Sequence, residues 1–161
     1  MIEGDNIRVG LGVDAHRYAE GENLVLGGTE IESRLGTVAH SDGDVLTHAI
    51  CDAILGAIGS GDIGNHFSDS DPKYRNISSL KLLKHVISKA KEEGFSVNNI
   101  DCTIMAETPR LSPFREQMQK NLGEICDCPV NVKFTTLEGL GFVGRKEGIA
   151  AKAVACLNKT Q

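Results

Sequence analysis

No run of lysine and arginine appears anywhere in these 161 residues, and the formal net charge is −5. A nucleic-acid partner needs a basic stripe to displace counterions from phosphates, so the composition argues against one. The same lack means that any phosphorylated ligand must be held by local groups and metal, because the overall field does not attract anions. No apolar run approaches the ~18–20 residues that cross a bilayer. Met1 to Gly10 carry Glu3, Asp5 and Arg8 without an apolar signal core. A soluble, cytoplasmic protein with no membrane partner is expected. The five cysteines (Cys51, Cys102, Cys126, Cys128 and Cys156) form no C-x-x-C pair. Cys126 and Cys128 have no nearby histidine or second cysteine pair to complete a metal clip, so all five read as reduced and structural. No repeat, low-complexity tract or Pro/Ser-rich linker divides the chain. Hydrophobic residues at 40% and charged residues at 24% make an ordinary globular balance, and the length suits one domain over 1–161 with its own core.

What is present falls into alternating and helical stretches. Ile7 to Val13 alternates as a strand that stops at Asp14-Ala15-His16. Leu24-Val25-Leu26 with Gly27-Gly28 suggests a short strand and a turn. From Asp44 to Ile58 apolar residues recur every three or four positions on one helical face, with Ser41 and Asp42 as candidate N-caps. Glycines 59, 61 and 64 break the chain into a polar loop that runs to Pro72. A second amphipathic helix turns Leu80, Leu83, Ile87 and Ala90 inward and stops at Gly94. Val97 to Glu107 reads as a strand, Ser112-Pro113 opens a third helix, and Val130 to Thr136 is another strand. The segment from Glu147 to Asn158 has two readings. Its alanines favour helix, whereas Ile149, Ala151, Ala153, Ala155 and Leu157 alternate as a strand does. A sheet with helices packed on one face buries these stripes most simply.

Asp14 and His16 are two positions apart on a strand, so both project to one side. A carboxylate and an imidazole there make half of a metal site, or a salt pair at a strand end. His48 sits beside the apolar face of the first helix, in line with Asp44 and Asp52. It reads either as a third ligand or as a core histidine. One Asp and two His with an open position form a recurrent zinc set, and Asp44 or Asp52 is then the carboxylate that fixes the ring's tautomer. Non-haem iron also suits such ligands. His40 and Ser41 lie before the helix, where backbone N–H groups bind phosphate well. Asp62 and the Phe67–Asp71 loop carry carboxylates that serve a polyol, or simply turns. Thr135 and Thr136 offer hydroxyls, Arg145 a planar fork and Glu138 a carboxylate for a hard divalent cation.

Gly12-Val13-Asp14-Ala15-His16, Ala39-His40-Ser41-Asp42-Gly43-Asp44 with His48 following, Gly61-Asp62-Ile63-Gly64, and Leu140-Gly141-Phe142-Val143-Gly144-Arg145-Lys146-Glu147-Gly148 stand together in one order. In this the chain resembles the 2-C-methyl-D-erythritol 2,4-cyclodiphosphate synthase family from about Arg8 to Leu157. The resemblance implies an α+β fold in which a mixed four-stranded sheet carries helices on one face. The order is strand-helix-helix-strand-helix-strand-strand, with the last segment a strand. It also implies a homotrimer with active sites between subunits. Zinc is implied on Asp14, His16 and His48, and magnesium or manganese on Glu138. His40 and Thr136 match positions that steady the transition state, and Ser41 matches a substrate contact. The resemblance implies that Asp14 and His16 touch substrate as well. Asp62, Ile63 and Gly64, with Phe67, Ser68, Asp69, Ser70 and Asp71, match contacts to the erythritol part and its phosphate. Ala106, Glu107, Thr108, Pro109, Arg110, Leu111 and Ser112 match a cytidine pocket. Thr135, Leu137, Phe142 and Arg145 match further contacts. Ser68, Arg110 and Gly139 depart from the family pattern, which often has proline, lysine and lysine there.

The activity implied is conversion of 4-diphosphocytidyl-2-C-methyl-D-erythritol 2-phosphate to the 2,4-cyclodiphosphate with release of CMP, in non-mevalonate isoprenoid synthesis. The 2-phosphate attacks the β-phosphorus, so catalysis is chiefly charge neutralisation and positioning. A metal-dependent phosphohydrolase would instead form free phosphate products, and a nucleotide-binding module with structural zinc would turn nothing over.

Overall fold

The computed structural model describes residues 6–68 and 70–160, so the expected contact at Asp69 lies outside the described residues. The chain opens with β1 (Ile7–Glu20), a ribbon of β2 (Leu24–Leu26) and β3 (Thr29–Ile31), and β4 (Leu35–Thr37). Helices α1 (Val45–Ala57), α2 (Ile63–His66) and α3 (Ser79–Glu92) follow, then β5 (Phe95–Met105) and α4 (Arg115–Cys126). Strand β6 (Val130–Thr135), the short helix α5 (Gly141–Gly144) and β7 (Gly148–Lys159) complete the chain. The main sheet has the order β4-β1-β7-β5-β6, with β5 and β6 parallel and the other neighbours antiparallel. Helices α1, α3 and α4 cover one face. No helix among the described residues is long and apolar enough to cross a membrane.

The mixed sheet with helices on one face agrees with expectation, but the four-stranded count is corrected to five. The added strand, β4, is only Leu35-Gly36-Thr37, too short to show alternation. It pairs with the far end of β1, which continues past His16 to Glu20 instead of stopping. The last segment is a strand because β7 sits between β1 and β5 and is paired on both sides. Its inward residues Ala151, Ala153 and Ala155 are buried, and tertiary pairing outweighs the helix propensity of alanine. Asp44, not Ser41 or Asp42, caps α1, accepting from the Thr47 N–H at 3.0 Å. All five cysteines are free, and burial pushes the Cys102 thiol up to about 12, in keeping with unreactive core packing.

Candidate functional site

Close packing of α1 on β1 builds the first half of the site. A Cβ on Gly10 would lie 1.8 Å from the Ala53 carbonyl oxygen, and one on Gly12 1.8 Å from that of Ala49. Only glycine admits the helix backbone at this range. The next inward positions on β1 are Asp14 and His16, while His48 stands beside Ala49, so the approach that needs glycine also brings the three side chains together. Asp14 Oδ2 is 2.9 Å from His16 Nε2 and 3.0 Å from His48 Nδ1, and the two ring nitrogens are 3.1 Å apart. These three residues can hold a metal ion. Burial pushes the Asp14 carboxyl up, but hydrogen bonds from both imidazoles outweigh it and hold the group at about 2. Burial works against the His48 imidazolium, yet the Asp14 carboxylate raises its pKa above the usual value.

The tautomer partner expected of Asp44 or Asp52 lies elsewhere. Asp44 is spent on the N–H groups of Gly27, Gly28 and Thr47 and on the Thr47 hydroxyl. Asp52 accepts from the Ile63 N–H at 2.8 Å and thereby ties α1 to the Asp62–Gly64 turn. The second nitrogen of His48 instead faces two hydroxyls, Ser79 at 2.9 Å and Ser41 at 3.1 Å. Ser79 donates to Asp42, whose other oxygen accepts the Ser79 backbone N–H at 2.8 Å. The sequence offered no sign of Ser79. It stands 31 residues from His48 and reads as the start of a helix.

A cleft of about 410 Å³ opens over this group. Its lining brings together Asp14, His16, His40, Ser41, His48, Ile63, Gly64 and Phe67 of the expected residues, and adds Tyr74. His40 is exposed at the rim. The carboxylates of Asp62 and Asp71 serve local turns, accepting from the N–H of Asn65 and of Lys73, each at 3.0 Å. Ser68 and Ser70 share a hydrogen bond of 2.7 Å in the exposed loop.

The remaining expected residues fall on other parts of the surface. Ala106, Glu107, Pro109, Arg110, Leu111, Ser112, Thr135 and Thr136 line a second cleft of about 340 Å³. The Thr108 carbonyl accepts from the buried Tyr18 hydroxyl at 2.8 Å, and Glu107 accepts from the Leu137 N–H at 2.8 Å. Glu138 is exposed with φ at +53° and accepts from the Thr136 hydroxyl at 3.1 Å. Arg145 is engaged with Glu147 at 3.0 Å, and Phe142 is exposed. Within one chain the second cleft is separate from the Asp14–His16–His48 group.

A mixed sheet under helices, with an Asp-His-His group able to hold a metal ion in an open cleft, defines an α+β protein with a candidate metal site. The YgbB family matches residues 7–158, and the chain belongs to this family of 2-C-methyl-D-erythritol 2,4-cyclodiphosphate synthases. The synthase of that name from Halothermothrix orenii is 52% identical over 158 residues, covering 96% of each chain. That of Geobacillus thermodenitrificans is 48% identical over 157 residues, covering 96% of this chain and 98% of the other. The bifunctional IspDF of Campylobacter jejuni superposes with a TM-score of 0.92 at 45% identity, covering 96% of this chain and 43% of that longer one. The IspF of Plasmodium falciparum, in complex with CDP, gives 0.84 at 32% identity over 98% and 99% of the two chains.

Proposed function

We propose that the chain converts 4-diphosphocytidyl-2-C-methyl-D-erythritol 2-phosphate to 2-C-methyl-D-erythritol 2,4-cyclodiphosphate with release of CMP. The observation that carries this reading is the near-equilateral triangle of Asp14 Oδ2, His16 Nε2 and His48 Nδ1, with edges of 2.9, 3.0 and 3.1 Å. Oxygen and nitrogen ligands ~2.0–2.1 Å from a tetrahedral zinc lie roughly 3.3 Å apart, so slight spreading of these side chains fits the ion. Asp14, His16 and His48 would hold the ion and leave a further coordination position open to substrate. The same donor set suits iron, but the phosphate chemistry of the family favours zinc. Bound zinc would supply Lewis-acid polarisation of phosphate oxygens, and magnesium or manganese held with Glu138 would neutralise charge on the departing CMP.

The chain's own groups have the remaining tasks. His40 and Ser41 at the cleft, and Thr136 at the second cleft, donate to phosphate oxygens as negative charges are brought together. The carboxylates near Asp62 and Asp71 face the polyol, and the segment from Ala106 to Ser112 holds the cytidine. Phe142 and Arg145 supply further contacts once Arg145 turns from Glu147. No protein nucleophile is required, since an oxygen of the 2-phosphate bonds to the β-phosphorus while its bond to the bridging oxygen breaks and CMP departs.

A homotrimer with sites between subunits completes the proposal. Its support is the face of the sheet opposite the helices, where Ile7 is 56%, Val9 65%, Leu11 64% and Val13 51% exposed, joined by Val154 at 42%. Such a contiguous apolar stripe marks an interaction surface. Phosphorus NMR of the purified protein with the intact substrate tests the activity. The expected result is a cyclic diphosphate together with CMP. Free phosphate, or no turnover with both metals supplied, would refute it.

A further inference from the structure

We infer that Ser79, oriented by Asp42, is a positioning residue that keeps the proton of His48 on Nε2 and so turns the Nδ1 lone pair toward the metal. The inference rests on the reading that Asp14, His16 and His48 hold the ion. An ionised carboxylate accepts hydrogen bonds and donates none, so the single hydroxyl proton of Ser79 goes to Asp42. What Ser79 Oγ then offers to His48 Nε2, 2.9 Å away, is a lone pair. That contact is favourable only when Nε2 carries hydrogen. In the metal-free chain Asp14 Oδ2 accepts from Nδ1 at 3.0 Å; when an ion takes the place of that hydrogen, an imidazole that keeps its proton on Nε2 has the Nδ1 lone pair free for the ion. Ser41 Oγ lies farther from Nε2, at 3.1 Å, and takes the Gly43 N–H at 3.3 Å; its second lone pair is still free, so it can accept from the same Nε2 hydrogen that Ser79 accepts. Ser79 is fully buried, and Asp42 holds it at two points, through the hydroxyl and through the backbone N–H at 2.8 Å. Directionality therefore passes from a carboxylate through a hydroxyl to a ring, in the manner by which outer partners fix metal-bound histidines.

Ser79→Ala separates this role from a structural one, because the backbone N–H that Asp42 accepts is retained and only the hydroxyl is lost. Zinc affinity of the full chain is measured by competition with a chromophoric chelator, beside thermal unfolding. The expected result is a ~10–100-fold rise in zinc Kd with little change in unfolding temperature. Asp42→Asn should also weaken zinc, since an amide can donate to Ser79 and send the hydroxyl proton toward Nε2. Zinc-loaded wild type should show a slowly exchanging His48 Nε2 proton by NMR, and this signal needs no variant to fold. A folded Ser79→Ala chain that binds zinc as tightly as wild type would overturn the inference. So would a rapidly exchanging Nε2 proton in the wild type. Failure of the wild type to take up zinc would instead sink the metal reading on which the inference depends.

Discussion

The cleft over Asp14, His16 and His48 and the cleft beside Ala106–Ser112 are assembled differently. In the first, a strand and a helix in backbone contact set the three donors, and Ser79 and Asp42 brace the ring from behind. In the second, loops supply most of the lining, and their polar groups satisfy one another: Thr136 with Glu138, Glu107 with Leu137, Arg110 with Ser112. Preorganised donors lose little by waiting for an ion, whereas exposed loop groups exchange one partner for another when a ligand arrives. In the proposed trimer, the metal half is complete within one subunit and the nucleotide half works only when another subunit adjoins it.

The largest effect is expected from the first cleft. His16→Ala should abolish nearly all turnover and lower zinc affinity by more than the ~10–100-fold that an outer partner costs. The fold should survive, because His16 is only partly buried. Zinc analysis and circular dichroism check both statements, and full zinc occupancy would remove His16 from the site. Next comes the apolar stripe. Leu11→Asp should leave a folded monomer, since Leu11 is 64% exposed, yet prevent association, because an unpaired buried charge costs several kcal/mol. Size-exclusion chromatography with light scattering distinguishes this from an unchanged assembly, which would show that the stripe is not the contact.

Changes in the second region should be milder. Glu138→Gln keeps the side chain's size and removes its charge, so turnover should slow by about tenfold, equivalent to ~1.4 kcal/mol, with a weakened response to magnesium. Zinc content should not change, and an unaltered magnesium titration would count against the role. Arg110→Lys should matter least. It keeps the charge and gives up an exposed 3.1 Å contact to Ser112, so stability should stay within ~0.5 kcal/mol by thermal unfolding.

The same contrast decided what could be read from sequence. Asp14 and His16 were legible because a strand has period two, and α1 because its apolar face repeats at helical spacing. The family motifs then drew His48 to them. Strand β4 was missed because three residues cannot display a period, and Ser79 because its partner is far off in sequence. Asp44 and Asp52 lie in line with His48 on the helix, but that alignment misled. Helix-end capping claimed one carboxylate and the neighbouring turn the other. Loop residues such as Asp62 and Asp71 combine turn chemistry with expected ligand contacts, and composition alone does not separate the two.

Complementation between two inactive variants tests most directly the claim that the halves meet only across subunits. His16→Ala disables the metal half, and Arg110→Glu places a negative charge where the nucleotide is expected. Each variant alone should be nearly inactive. Co-assembled, they should form mixed trimers in which at least one interface has both halves intact, and turnover should recover to a fraction set by the mixing ratio. Mixed trimers confirmed by native mass spectrometry without any recovered turnover would mean that each site is built within one chain, contrary to this account.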